Sequence, residues 1–405
     1  MAGLSTAFDG DKAFGGDKAF VGSTASSGST ASSVSQVLKR YANAYLQTYR
    51  TRTTAEQKKV LRAVAACRET TLGTIRYRCV SCGSEKNVPR SCCNRHCPAC
   101  QWQTQQKWLA RQQRMLLPCS YFLITFTLPK QLRPVAMKFP ADVYRALMKA
   151  AAESLKTAAT NPRFVGAVET GFLGVMHTWG RDLSFHPHGH FLVPGEGIDA
   201  QGKWKSSRAS LFVPEQVLEK LFRGKFKALL DKAGLLKHVD PKVWQGRFVV
   251  DSKAVQSGRQ ALAYLAPYVT RGCVANWRVT RCNDAQSLDD ATLVLQVKRS
   301  GTRKYKPMPM SVTEFIRRWL QHVAPNGFHR VRHYGFMNSS SRRSHQELQL
   351  LIAASRGDLH YLAAPQPVVQ SEPAKMQCAC CGGMMVSLGY TPPTELPQLA
   401  GRAPP

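Results

Sequence analysis

The chain has 405 residues, 43% of them hydrophobic, enough for one large domain and smaller modules. Its 56 Lys and Arg against 25 Asp and Glu give a formal charge of +31. That imbalance argues against an enzyme of small neutral metabolites and for a polyanionic partner, nucleic acid before any other. No apolar run approaches the ~20 residues that cross a bilayer, and the polar N-terminus has no secretory h-region.

Residues 1–36 read as a disordered tail. GDKAF occurs at 10–14 and 16–20, GSTASS at 22–27 and 28–33, and neither repeat has the apolar periodicity a core requires. Helical patterns begin at Val37 and cover 54–66, and a polar helix follows the cysteine cluster up to Pro118. YFLITFTL at 121–128 is short, apolar and rich in β-branched and aromatic residues, which predicts a buried strand. Helices are expected near 141–158, 214–233 and 256–269, and strands at 171–178, 189–194 and 247–250. WRVTR and TLVLQVK are read as hairpin arms. Ser311 and Glu314 open a helix over 311–323 with a capping box. From 339 a polar, then Pro-rich, tail is expected. The irregular alternation of strands and helices over 119–335 predicts one α+β domain.

The 13 cysteines are odd in number and mostly clustered, which in an unsecreted basic chain points to metal rather than disulfides. Cys79-x-x-Cys82 and Cys97-x-x-Cys100 stand 14 residues apart. Each pair can chelate from a tight turn, and four thiolates complete a tetrahedron around Zn²⁺. Cys67, Cys92, Cys93 and His96 are surplus and could substitute as ligands or build a second site. Cys378-x-x-Cys381 is a single pair, readable as a partial knuckle or as a partner for stray ligands.

His186, His188 and His190 fall at period two and share one face of a strand, where neighbouring imidazoles can grip a divalent cation. Tyr264 and Tyr268 lie one helical turn apart. Taken alone, that pair reads first as a core stripe with Leu262 and Leu265. Pro267 between them is expected to kink the helix. Arg317, Arg318, Arg330 and Arg332 interleave with Trp319, Phe328 and Tyr334, a pattern suited to tracking single-stranded DNA while stacking on its bases. The competing reading is a solvated basic face. Arg271 follows the tyrosine helix and joins this group.

HPHGHFLVPGEG, LAYLAPYVTR and EFIRRWLQHVAPNGFHRVRHYGF, in that order, resemble the two-tyrosine HUH transposases of rolling-circle insertion sequences, the ISCR elements among them. CRETTLGTIRYRCVSCG with SCCNRHCPACQ resembles their zinc-binding region. YFLITFTLP, HTWGRDLSFHPHGH and the terminal CACCGG also fit, so the likeness covers about 40–338. It implies an α+β chain: a zinc-binding DNA-recognition region at 37–117, an HUH domain of antiparallel sheet flanked by helices at 118–338, and a flexible tail at 339–405.

The resemblance implies His188 and His190 as ligands of Mg²⁺ or Mn²⁺, and Tyr264 and Tyr268 as nucleophiles that nick and rejoin single-stranded DNA at element ends and target. It alone implies a bacterial cytoplasmic, nucleoid-associated setting. Two histidines rarely complete such a shell, so a third ligand is expected, with Gln260 ranked ahead of His186. Two positions depart from the family: Gly189, where a large hydrophobe is usual, and Pro267, where a basic residue is common. A plasmid replication initiator or relaxase, or a non-catalytic zinc DNA-binding protein (a decayed transposase), stay open as alternatives.

Overall fold

The computed structural model describes residues 33–208, 210–255, 257–270, 272–283, 285–298, 302, 304–357 and 376–393. The repeats of the N-terminal tail and Arg271 lie outside them. In chain order the elements are α1 (Val34–Thr48), α2 (Ala55–Ala65), β1 (Thr74–Cys79), β2 (Glu85–Pro89), α3 (Trp102–Arg114), β3 (Tyr121–Thr127), α4 (Arg133–Lys138) and α5 (Pro140–Ala159). Then come β4 (Gly171–Trp179), β5 (Phe185–Pro194), β6 (Glu196–Ile198), β7 (Trp204–Ser206), α6 (Glu215–Lys232), β8 (Val250–Val255) and α7 (Gly258–Thr270). Last are β9 (Val279–Cys282), β10 (Thr292–Lys298), β11 (Tyr305–Ser311), α8 (Val312–Leu320), β12 (Val331–Gly335), α9 (His345–Arg356) and β13 (Met385–Thr391). They form two compact units, one gathering 105–269 with 324–357, the other 33–104, 270–323 and 376–393.

The larger unit is built on a five-stranded sheet of order β12-β4-β5-β3-β8, every pair antiparallel. Alternate residues face opposite sides. Phe122, Ile124, Phe126, Phe172 and Phe191 therefore share one core with Leu147 and Met148 of α5 and Phe222 and Phe226 of α6. Tyr121, Leu123, Leu173, Val175 and Leu192, on the other face, pack with Leu262 and Leu265 of α7. Each large side chain so buried contributes about 1.5–3 kcal/mol. The space beside Gly189, where the family usually has a large hydrophobe, is filled by its neighbours. A Cβ there would lie 3.0 Å from the Phe191 ring, 3.1 Å from Leu147 and 3.3 Å from Met148.

Strand β12 ends at Gly335, whose φ is +55° and whose Cβ, if present, would sit 1.5 Å from the Thr170 carbonyl oxygen. Both the left-handed backbone and the close approach require glycine. Gly335→Ala is expected to lower stability by more than the ~1–3 kcal/mol of backbone strain alone. A urea unfolding curve checks this.

The segment expected as a flexible tail contributes structure to both units. Helix α9 buries Leu348 and Ile352 against Leu117, Ile198, Trp204, Phe336 and Met337. Arg356 at its end donates to both carboxylate oxygens of buried Glu196, at 2.6 and 2.8 Å, and to the Pro118 carbonyl at 2.7 Å. The Trp204 Nε1–H also donates to Glu196, at 2.5 Å.

The cysteine-rich unit contains α1, α2, α8, the sheet β11-β10-β9 and the sheet β13-β1-β2. Ser33 and Gln36 form a capping box, so α1 starts at Val34, three residues before the sequence expectation. The hairpin read from WRVTR and TLVLQVK is present as β9 and β10, yet it belongs to this unit rather than to the sheet unit. Tyr41 Oη donates to the Ala285 carbonyl at 2.8 Å, the Ser35 amide to Asn276 Oδ1 at 2.9 Å, and Gln57 to the Leu320 carbonyl at 3.0 Å. Apolar periodicity shows that a segment has a buried face but not which core receives it, and 270–323 packs in the cysteine-rich unit. Ser311 caps α8 by accepting from the Glu314 amide, while the Glu314 carboxylate turns to Arg317 and Arg318 instead of closing the box.

Candidate active site and zinc centres

Register brings the histidines together. His177 of β4 stands directly across from His188 of β5, and Thr125 of β3 directly across from His190. Side chains of paired residues share a face, so His177, His188 and His190 converge on the α7 side with ring nitrogens within 4.8 Å of one another. All three are buried. His177 Nδ1 and His188 Nε2 are 2.6 Å apart, His188 Nδ1 donates to the His186 carbonyl at 2.5 Å, and Thr125 Oγ1 lies 2.9 Å from His190 Nδ1. Those outer contacts fix ring orientation.

Burial, and then the neighbouring imidazole of His190, holds His188 well below the usual histidine range. Burial, and then His186, pushes His190 down to about 4. The His188 and His190 rings are thus neutral near pH 7 and offer lone pairs. Three imidazoles in one buried pocket are a donor set that suits a divalent transition metal such as Mn²⁺.

Helix α7 covers this face. The Tyr268 ring stacks on His190 at 5.9 Å and 17°, and lies 4.4 Å from the His177 ring centroid. Tyr264 stands edge-on to His190 at 6.1 Å and to Tyr268 at 5.3 Å. Both tyrosines are half-buried. Pro267 sits within a helix that runs on to Thr270. Arg330 is buried, donates to the Tyr268 carbonyl at 3.1 Å and lies over the Trp179 ring at 5.6 Å.

The cysteine-rich unit holds two groups of four thiols, Cys67 with Cys92, Cys97 and Cys100, and Cys79 with Cys82, Cys378 and Cys381. In the first, Cys92 and Cys100 sulfurs are 3.7 Å apart. Thiol hydrogen bonds, first from Cys100, hold Cys67 far below its ordinary value, while hydrogen bonding to Cys100 pushes Cys92 far above it. Thiols so crowded do not all ionise without a cation, and four thiolates are the donor set of structural zinc.

Comparison with known proteins follows this geometry. Residues 171–345 match a family described as "Putative transposase", and residues 37–128 match one described as "Transposase zinc-binding domain". A protein of Sinorhizobium fredii named "Putative transposase y4qJ" is 34% identical over 392 residues, covering 88% of this chain and 94% of that one. The chain belongs to this transposase family. The family is of the HUH rolling-circle type. The transposase for insertion sequence element IS801 of Pseudomonas savastanoi pv. phaseolicola is 24% identical, over 79% of this chain and 80% of that one. A solved conjugative relaxase, TrwC, in complex with mutant OriT DNA aligns over 27% of this chain and 44% of its own, with 17% identity and a TM-score of 0.22. So slight a likeness adds nothing to the case.

The structure of the transposase redistributes several residues expected from sequence. Cys79, Cys82, Cys97 and Cys100 do not share one site, because each CxxC pair is completed by two cysteines from elsewhere. His96 is buried but belongs to neither group, and Cys93 is exposed with φ +50°. Gln260 is exposed on α7, outside the histidine group. His186 shares the strand face but is also outside it. Its Nδ1 meets the Arg133 guanidinium at 2.8 Å, and that positive charge opposes a metal cation. The group's third member is His177, which sequence reasoning passed over. Its signal was the turn GRDLS between two apolar runs, which folds HTW back onto HPH.

The expected DNA-binding arginines also divide. Arg317 and Arg318 pair with Glu314 on α8. Arg330 is spent on α7 and Trp179, and burial keeps it from a phosphate backbone. Arg332 is half-buried over the Phe328 ring. Among the described residues no helix is long and apolar enough to cross a membrane.

Proposed function

We propose that this transposase nicks and rejoins single-stranded DNA at the ends of its element and in the target, by tyrosine attack in the larger unit. The observation that supports this best is the stacking of Tyr268 on His190 and its close contact with His177, with Tyr264 one turn away. His177, His188 and His190 would hold Mn²⁺ or Mg²⁺, which supplies polarisation of the scissile phosphate when bound. Tyr268 or Tyr264 Oη forms a bond to phosphorus as the bond to the 3′ oxygen breaks. The phenol loses its proton and the leaving 3′ oxygen gains one. The product is a 5′-phosphotyrosine and a free 3′-OH. The adduct retains the diester's energy, so attack by another 3′-OH rejoins the strand without ATP. The second tyrosine serves the second transfer.

The stacked aromatic ring at the buried histidines keeps water from the reacting centre. Arg330 positions the nucleophile by fixing the last turn of α7. The cysteine-rich unit contributes a rigid, zinc-held surface for recognising DNA. The setting is a bacterial cytoplasm, on the nucleoid. A decayed, non-catalytic transposase is disfavoured by the intact histidine–tyrosine constellation, and Gly189 costs it no packing.

Incubating the protein with single-stranded element-end oligonucleotides and Mn²⁺ is expected to give an adduct that survives a denaturing gel. EDTA should abolish it, and so should the double variant Tyr264→Phe, Tyr268→Phe. Tight DNA binding with no adduct under any condition would sink the nuclease reading and leave a binding protein.

A further inference from the structure

The C-terminal cysteines lie outside the residues matched by the transposase zinc-binding family, which end at 128. In the fold they meet Cys79 and Cys82. We propose that Cys79, Cys82, Cys378 and Cys381 bind a second structural zinc ion, built jointly by the two ends of the chain and separate from the one held by Cys67, Cys92, Cys97 and Cys100.

The distances fit a tetrathiolate. Cys79 and Cys381 sulfurs are 3.5 Å apart, and Cys82 and Cys378 sulfurs 3.7 Å. Thiolates about 2.3 Å from one zinc at tetrahedral angles stand about 3.8 Å from one another. Both contacts link one pair to the other, and all four sulfurs lie within 4.8 Å of one another, as one shared ion requires.

The two loops are also hydrogen-bonded alike, although they share only the pattern Cys-x-x-Cys-Gly. In the first, the Gly83 amide donates to the Cys79 carbonyl at 3.1 Å and the Cys79 amide to the Ser84 carbonyl at 2.9 Å. In the second, the Gly382 amide donates to the Cys378 carbonyl at 2.9 Å and the Cys378 amide to the Gly383 carbonyl at 2.8 Å. Gly83 has φ +70° and Gly382 φ +72°, the left-handed conformation that closes each turn. Backbone amides of the second loop also point at the leading sulfur, as the Cys380 amide does to Cys378 Sγ at 3.4 Å. Such amides stabilise a thiolate against its neighbours.

Gly383 lets the loops meet. A Cβ there would lie 3.1 Å from Cys79 Sγ and 2.6 Å from Ser81 Oγ. Within the two cysteine clusters, the thiols that neither group uses, Cys93 and Cys380, are exposed.

The consequence is a closed circuit in the chain. Strand β13 pairs with β1 from Thr74↔Thr391 to Cys79↔Met385, and the metal clamps the end of that ladder where Cys79 and Cys378 sit. The sheet β13-β1-β2 has only three strands and a core of few side chains, among them Cys79, Cys378 and Met385. So small an apolar cluster needs a metal to hold it. Strand β13 is therefore part of the zinc-binding unit.

The test is the zinc content of the purified full-length protein, measured by plasma mass spectrometry under reducing conditions. The wild type should carry two zinc ions per chain and the Cys378→Ser, Cys381→Ser variant one, whereas Cys93→Ser, Cys380→Ser should keep two. One zinc in the wild type, or two in the tail variant, overturns the proposal. Alkylation of the zinc-loaded wild type, read residue by residue by mass spectrometry, needs no variant to fold. Cys378 and Cys381 should react at least tenfold more slowly than Cys380 and lose that protection when a chelator strips the metal. Equal rates for all three also overturn it.

Discussion

His177→Ala is expected to slow strand cleavage on the order of 10²–10³-fold, the usual cost of removing one preorganised electrostatic contact from an active site. The same substitution at His186 or Gln260 is expected to change the rate only a few-fold. His177 faces His188 across the β4–β5 pair, with the two ring nitrogens 2.6 Å apart. His186 is held by Arg133, and Gln260 is exposed on its helix. Single-turnover cleavage of an element-end oligonucleotide at saturating Mn²⁺, with Mn²⁺ affinity measured by calorimetry, separates loss of metal from loss of fold. Wild-type cleavage by His177→Ala, together with a dead Gln260→Ala or His186→Ala, would return the third-ligand role to the residues first expected from sequence.

Arg356→Ala is expected to cost about 3–5 kcal/mol of stability, as breaking one side of a buried ion pair does. Glu196 is 3% exposed, and its carboxylate accepts from Arg356 through both oxygens and from Trp204. Removing the guanidinium leaves that charge buried with its principal counter-charge gone. It also frees the Pro118 carbonyl and loosens α9 from Leu117 and Phe336. A unit of this size should melt on the order of 10 °C lower. Adding Glu196→Gln to Arg356→Ala should recover part of the loss, because the uncompensated charge goes with it. A calorimetric scan showing a loss under about 1 kcal/mol would mean that α9 is only loosely attached, as the tail reading from sequence implied.

The family of this transposase was legible in the sequence because its chemistry is carried by short local patterns. HPHGH at period two, two tyrosines one turn apart and CxxC pairs each declare themselves within a few residues. The strands β3, β4 and β5 and the helices α5, α6 and α7 were legible for the same reason, since apolar alternation and helical periodicity are local. What the sequence left undecided was every pairing between distant segments. His177 joins His188 only through the register of a hairpin, and Cys378 and Cys381 reach Cys79 and Cys82 only through the β1–β13 ladder.

Arg330 reads as a free basic residue beside aromatics, yet burial against α7 and Trp179 turns it into a support for that helix. Residues 270–323 and 345–356 show their buried faces in the sequence, but which core accepts those faces depends on shape and on partners far along the chain. Periodicity and motif spacing are properties of neighbouring residues, so the sequence by itself determined most of the elements and the family. Strand register and core assignment are settled by the free energy of the whole packed molecule, so only the tertiary structure decided which histidines meet and which cysteines cluster.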